Sequence, residues 1–406
     1  MNLIREREMV SKRIQNMKPS ATSTINGMVS EMKARGENVI SFNVGEPDFD
    51  TPSPVICALE KAVEDGKTRY VAVGGITPLR MAIADKLRRD NDLVYSIDQI
   101  CVTTGGKQAV FNAVMALCDP GDEVIVNAPC WVSYVEMIKM AEAEPVVVKT
   151  DENYHLDLQV IRAAVTDKTK AVIINTPNNP TGAVYTEEEL KALADLAEEK
   201  DFYILSDEIY EKLTYDGKKH VSIASLSQAA YERTITLNGF AKAYCMTGWR
   251  LGYAAGPADV IKGMISYQGH STSNSTTFVQ WAGIAALEKC AKEVEKMRAA
   301  FEERRDCMKE RLDGIEGFKA GMPHGAFYFM PDVSYWFDKT YEGENGPVVI
   351  GDAQGFAKYL LKKAAVAVVP GDAFETPNAV RFAYPVSVET INEGMDRIEA
   401  ALKELK

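Results

Sequence analysis

From about residue 100 the chain repeats one pattern: a short apolar run rich in β-branched residues, then a longer stretch with its apolar positions on one helical face. Ile100 to Thr104, Glu123 to Asn127, Pro145 to Lys149, Ala171 to Asn175, Phe202 to Ser206, Thr234 to Asn238 and Leu251 to Ala255 read as strands. Helices fit between them. Lys107 to Cys118 closes on Asp119-Pro120-Gly121. Thr186 to Lys200 opens on a capping threonine followed by Glu187, Glu188 and Glu189, acids suited to the positive end of a helix. Strands apolar along most of their length are buried on both faces. The pattern therefore predicts an α/β fold built on a mostly parallel seven-stranded sheet covered by helices.

Further on the texture changes. Trp281 to Arg311 is a long, charged helical stretch, followed by a strand at Ala326 to Met330 and a helix at Ala353 to Lys363. Strands at Val366 to Val369 and Val380 to Tyr384 and a final helix complete an α+β pattern. The segment before Pro47 is helical over Ile25 to Arg35 but too short for a core of its own, so it is expected to pack on the C-terminal part. The expected division is an N-terminal arm, 1–46, joining the small domain; a large domain, 47–288; and a small C-terminal domain, 289–406. Ligand is expected between the layers, outside the carboxyl ends of the parallel strands.

The 406 residues carry 58 acidic and 46 basic side chains, a formal net charge of −12. Such a surface repels phosphate backbones and anionic lipid, so neither nucleic acid nor membrane is an expected partner, and any anionic ligand needs a local cluster of donors. Met1 to Arg13 mixes both charges with no apolar run after it, which gives no sign of a signal peptide or spanning helix. Seven scattered cysteines without a C-x-x-C pair suit a reducing cytoplasm, and four dispersed histidines give no metal-ligand spacing, so no metal is expected.

Candidate chemistry lies at the strand ends. Gly105-Gly106-Lys107 separates a strand from a helix, where backbone can approach a phosphate and free N–H groups can bind it; neither a dinucleotide fingerprint nor a P-loop is present. Trp131 follows the next strand. Asn175-Thr176-Pro177-Asn178-Asn179-Pro180-Thr181-Gly182 is a rigid, amide-bearing loop in which Asn179-Pro180 is a candidate cis bond. Another strand ends in Asp207, with Tyr210 three residues on. Thr234 to Asn238 leads through Gly239-Phe240-Ala241 to Lys242, a lysine after an apolar strand with no charged neighbour nearby, and Arg250 stands eight residues later. Desolvation lowers the pKa of such an amine, as Schiff-base chemistry requires. Jointly these residues supply an amine, an acid for a pyridine nitrogen, donors for a phenolic oxygen, a flat aromatic and a phosphate cradle.

The chain resembles the class I aminotransferases of the fold-type I pyridoxal-phosphate superfamily, in particular aspartate aminotransferases of the Iβ kind. The resemblance runs from Met17-Lys18-Pro19-Ser20-Ala21-Thr22 to the C-terminal helix and includes Gly45-Glu46-Pro47-Asp48-Phe49, Asn178 to Gly182, Ser206-Asp207-Glu208-Ile209-Tyr210 and Lys242 with Arg250. It implies pyridoxal 5′-phosphate as cofactor, Lys242 as its Schiff-base anchor and proton shuttle, and Asp207 as partner of the ring nitrogen. It further implies Asn179 and Tyr210 as donors to the 3-oxygen, Trp131 stacked on the ring, and Gly105, Gly106, Lys107 and Arg250 about the phosphate. Tyr70 is implied to complete that phosphate site from the second subunit of a homodimer with shared active sites. Arg381 is implied as the bidentate clamp on the substrate α-carboxylate, assisted by the backbone of Gly45. The resemblance also implies that Trp131 and Asn179 face substrate and that Lys107 meets a distal carboxylate. One departure is Gly239, which stands where many relatives have a serine.

The implied reaction is transamination between aspartate and 2-oxoglutarate by a ping-pong mechanism. Alternatives on the same fold are prephenate, aromatic or alanine-type substrates, and a carbon–sulfur β-lyase. A cofactor-binding half of a transcription factor is disfavoured by the acidic charge and by a length that leaves no room for a DNA-binding domain.

Overall fold

A computed structural model of the chain describes residues 10–15, 17, 21–343 and 346–406; Lys18, Pro19 and Ser20 of the N-terminal motif lie outside them. The strands in chain order are β1 (Ile40–Ser41), β2 (Ile100–Thr103), β3 (Glu123–Ala128), β4 (Glu144–Lys149), β5 (Thr169–Asn175), β6 (Tyr203–Asp207) and β7 (Thr234–Gly239). They continue with β8 (Gly252–Ala255), β9 (Tyr328–Phe329), β10 (Thr340–Gly343), β11 (Gly346–Val349), β12 (Val366–Ala367), β13 (Val369–Pro370) and β14 (Val380–Ala383).

The seven expected strands form one sheet in the order β2-β8-β7-β6-β5-β3-β4. β7, β6, β5, β3 and β4 are parallel; β8 runs against both of its neighbours. Period-two alternation explains the helical cover on both faces. Val124, Val126, Ile173, Leu205 and Leu237 pack with Ala109, Val110 and Ala113 of the helix Gly106–Leu117. Ile125, Val172, Ile174 and Ile204 meet Leu190, Leu193 and Ala197 of the helix Glu187–Lys200 on the other face. Thr186 caps that helix, in a reciprocal pair with Glu189. The helices Ser53–Glu64 and Thr77–Asn91, each with a proline in its first turn, and Ala258–Ser271 are absent from the sequence reading.

The C-terminal elements build a second core. β9, β14 and β13 form an antiparallel sheet, and β10 and β11 a hairpin. The N-terminal segment joins them: β1 pairs in parallel with β12, and Val29 and Val39 pack on Leu361 and Ala367. Several expected elements are shorter or divided. Val366 to Val369 is two strands, because β12 pairs with β1 while β13 turns to β14 and ends on Pro370. The long helix divides at Cys290 into Thr277–Lys289 and Ala291–Asp313. Ala326 leaves the expected strand because its φ is 55° and its N–H goes to Leu213 O. Asn179-Pro180 is not a cis bond; those at Ala128-Pro129 and Thr176-Pro177 are. Around Pro180 the chain reverses instead through Gly182 (φ 73°), whose N–H closes on Asn178 O at 2.9 Å. Among the described residues no helix is long and apolar enough to cross a membrane.

Behind the loop that follows Asp207 lies a buried polar network. Lys86 pairs with Glu211 and donates to Asn91 at 2.7 Å, and Asn91 donates to Glu211 at 2.8 Å and to Ser222 at 2.7 Å. Glu208 accepts from Ser222 at 2.6 Å and from Ser206 at 3.0 Å, with His220 Nε2 at 2.9 Å. Glu208, Glu211 and His220 thus converge, but their ligand atoms are already engaged by one another and by Lys86, Asn91 and the serines. Burial alone would raise the Glu211 pKa; Lys86, Lys212 and His220 hold it down at about 2. Lys86→Met is expected to cost about 3–5 kcal/mol in denaturant unfolding at pH 7, because Glu211 is left charged and buried. Glu211 contributes stability above its ordinary value of 4.5 and loses it as pH falls toward 2. The gap between wild type and variant should therefore narrow across that window.

Candidate active site

Parallel strands that end together place their last residues in one crevice. β5 ends at Asn175 and β6 at Asp207, and the Asn175 side chain donates to Asp207 O at 2.8 Å while accepting from Asn179 N–H at 2.7 Å. The loop after β5 is thereby tied to the end of β6. A cavity of about 340 Å³ opens there, lined by Gly45, Gly106, Lys107, Trp131, Asn179, Asp207, Tyr210, Lys242, Arg250 and Arg381. Residues predicted from seven separate stretches of the chain line this one cavity.

Asp207 is buried, with one carboxylate oxygen accepting from Tyr134 OH at 2.6 Å and the other from Ile209 N–H at 3.2 Å. Burial pushes its pKa up to about 6 despite both bonds. Lys242 donates to Gly45 O at 2.6 Å, with its Nζ 5.9 Å from the Tyr210 ring centroid. Burial pulls this amine down to about 8; Glu46 and Asp207 oppose the shift, while Arg381 and Arg250 reinforce it.

Arg381 comes from β14, across the crevice. Its Nη1 donates to Asn179 Oδ1 and its Nη2 to Asn43 O, both at 2.9 Å. The guanidinium lies against the rings of Tyr328 at 4.6 Å and Phe374 at 4.9 Å. Its Nε is buried without a partner among the described residues, a donor that fits an incoming carboxylate. With its oxygen committed to Arg381, Asn179 retains its amide nitrogen as a donor. Tyr210 OH lies 2.7 Å from Tyr328 OH.

Gly105 caps the helix Gly106–Leu117 with φ 81°, and a Cβ there would lie 2.5 Å from Arg250 Nη2. Only glycine lets that guanidinium sit over the helix start, where the N–H groups of Gly106 and Lys107 have no intrahelical acceptor. Arg250 itself has φ 54° and donates to Thr247 O at 2.6 Å. Lys107 Nζ is 5.0 Å from the Trp131 ring, and burial together with Arg250 lowers its pKa. Gly239 is closed in by Gly252, Leu251 O and Ile209, with a Cβ there 3.1–3.2 Å from each, so a serine would need these neighbours to give by a few tenths of an ångström. Tyr70 is not among the cavity residues and is 89% exposed.

Sequence reasoning missed Tyr134, Tyr328, Asn175 and Asn43. Tyr134 and Tyr328 sit in apolar runs, where nothing separates a ligand-directed hydroxyl from an ordinary core aromatic. Asn175 carries no signal in the sequence beyond that of its loop.

The sequence pattern described as "Aminotransferase class I and II" matches residues 37–398. The chain belongs to that family. Aspartate aminotransferase of Bacillus sp. (strain YM-2) is 43% identical over 98% of this chain and 100% of its own. Aspartate/prephenate aminotransferase of Thermus thermophilus is 44% identical over 97% of this chain and 98% of its own. The solved Thermus thermophilus aspartate aminotransferase with maleate aligns at TM-score 0.90 and 44% identity over 97% of this chain and 99% of that one. The Rhizobium meliloti aspartate aminotransferase aligns at 0.93 and 37% identity, over 98% and 99%.

Aminotransferases of this family and fold depend on pyridoxal phosphate. The donor set of this aminotransferase fits that cofactor: an amine of lowered pKa, a buried carboxylate, an amide nitrogen and a helix start beside a guanidinium share the cavity. An amine with a pKa of about 8 is roughly tenfold more deprotonated at pH 9 than at pH 7. Cofactor-free protein should therefore react with pyridoxal phosphate about tenfold faster at pH 9 than at pH 7. Borohydride reduction and peptide mapping should place the label on Lys242, and a label elsewhere would refute the assignment.

Proposed function

We propose that this aminotransferase transfers the amino group of aspartate to 2-oxoglutarate by a ping-pong mechanism, with Lys242 anchoring the cofactor as a Schiff base. The observation that carries this reading is the pair of cations, Arg381 and Lys107, lining the same cavity as Lys242. Two carboxylates on one short substrate need two such partners. The names of the relatives support it.

When bound, pyridoxal phosphate supplies an electron sink conjugated to the Cα of the amino acid. With the cofactor bound, Lys242 Nζ would move a proton between the substrate Cα and the cofactor's C4′, and a lowered pKa suits it to both tasks. Asp207 holds a proton on the ring nitrogen by its negative charge, with Tyr134 and Ile209 keeping the carboxylate in place. Asn179 Nδ2 and Tyr210 OH would donate to the 3-oxygen, and Trp131 would stack on the ring. The N–H groups of Gly106 and Lys107, on the turn that Gly105 makes, and Arg250 would hold the phosphate, and Tyr70 would reach it from the second subunit of a homodimer, which would account for a tyrosine left 89% exposed on one chain. Arg381 would bind the α-carboxylate through its unspent N–H groups, helped by Gly45 N–H, while the Gly45 carbonyl accepts from Lys242.

A second reading adds prephenate as a substrate. A further cavity of about 930 Å³ shares Lys107, Trp131 and Arg250 with the site and is faced by Phe111 and Tyr267, room for a bulky ring.

Incubation with aspartate and 2-oxoglutarate should yield oxaloacetate and glutamate; pyruvate with ammonia would identify a lyase instead. If Lys107 meets the distal carboxylate, Lys107→Ala should weaken kcat/KM for aspartate and glutamate by about 2–5 kcal/mol relative to alanine or phenylalanine. An equal loss for all four, with weaker cofactor binding, would restrict Lys107 to the phosphate and overturn the dicarboxylate assignment.

A further inference from the structure

Tyr328 touches both halves of the site. Antiparallel register sets it opposite Ala383, so it shares a sheet face with Arg381, two residues earlier on the same strand. Its ring lies 4.6 Å from the guanidinium, and its hydroxyl lies 2.7 Å from Tyr210 OH. A Cβ on Gly45 would fall 2.3 Å from that hydroxyl, so the hydroxyl has its place only because residue 45 has no side chain.

Each phenol has one proton to give. If Tyr210 gave its proton to Tyr328, it would show only lone pairs to the cavity and could not serve an oxygen bound there. If Tyr328 is the donor, the Tyr210 proton is free for that oxygen. One observation favours the second direction: the Arg381 cation lies 4.6 Å from the Tyr328 ring, closer than the 5.9 Å between Lys242 Nζ and the Tyr210 ring, so it draws density from Tyr328 and makes its O–H the better donor.

We propose that Tyr328 is a positioning residue joining the carboxylate clamp to the cofactor's 3-oxygen: its ring holds the plane of Arg381, and its hydroxyl, donating to Tyr210, turns the only proton of Tyr210 toward that oxygen. The proposal rests on the reading that Tyr210 donates to the 3-oxygen. A chain of two hydrogen bonds polarises each member, so Tyr210 is a stronger donor with Tyr328 behind it. A stronger donor to that oxygen lowers the basicity of the imine conjugated with it.

The test uses the holoenzyme, comparing wild type, Tyr328→Phe, Tyr328→Leu, Tyr210→Phe and the double Phe variant. Two quantities are read: the pH midpoint of the visible absorbance change and the Kd for maleate. Tyr328→Phe keeps the ring and should raise the midpoint by about half to one pH unit while changing maleate affinity less than about threefold. Tyr328→Leu should raise the midpoint similarly and weaken maleate about tenfold or more, because the ring is gone. In the Tyr210→Phe background, Tyr328→Phe should add no further shift. An unchanged or lowered midpoint in Tyr328→Phe overturns the proposal, as does a full additional shift in the double variant or a maleate loss equal to that of Tyr328→Leu. A wild-type protein without a titrating visible band overturns the cofactor reading beneath it, and the proposal with it.

Discussion

A carboxylate held away from water at the end of a buried strand is the constraint on which this structure turns. Burying an unpaired carboxylate is costly, and such a group protonates unless donors or a cation compensate it. Asp207 has two donors, Tyr134 OH and Ile209 N–H, yet its pKa still reaches about 6. It is incompletely satisfied, and a cationic ring nitrogen facing it would complete the compensation. The parallel order of β5, β6 and β7 places it at the crevice, and the tie between Asn175 and Asp207 O keeps the strand end from shifting.

Charge organises the remainder. A chain of net charge −12 gathers Lys107, Lys242, Arg250 and Arg381 around one cavity. Burial and mutual repulsion lower the two lysines, which leaves Lys242 an amine able to react near neutral pH. Burial lowers Arg381 as well, and two N–H groups given to Asn179 and Asn43 and the aromatic rings beneath it offset part of that cost. Anionic substrates meet a local positive field within an acidic surface, which explains how a phosphate and carboxylates can be captured by a chain that repels polyanions.

What the sequence made legible follows from the range of the forces involved. Six strands of the main sheet are readable because burial on both faces demands unbroken apolar runs, as in Val172, Ile173 and Ile174; the partly exposed edge strand β4 is readable from its run of valines. Strand ends were readable as candidate sites because Lys242, Asp207 and the Asn175–Gly182 loop break those runs with groups that packing alone does not require. Short elements were not. Val366 to Val369 is a single apolar run to the eye, and only the positions of β1 and β14 divide it. Cys290 interrupts a helical pattern without glycine or proline to mark it. The contributions of Tyr134 and Tyr328 depend on where their hydroxyls point, which is settled by contacts with Asp207 and Tyr210 far away in the chain.

The most direct measurement is the half-reaction of the holoenzyme with aspartate, followed by absorbance in wild type and Asp207→Asn. Asparagine keeps the shape and can still meet Tyr134 and Ile209, but it lacks the charge that holds a proton on the ring nitrogen. The account predicts a rate lowered by about 100-fold or more, since each pKa unit lost by that nitrogen is worth about 1.4 kcal/mol. A rate within about fivefold of wild type would contradict it and reduce Asp207 to a structural acceptor for Ile209 N–H.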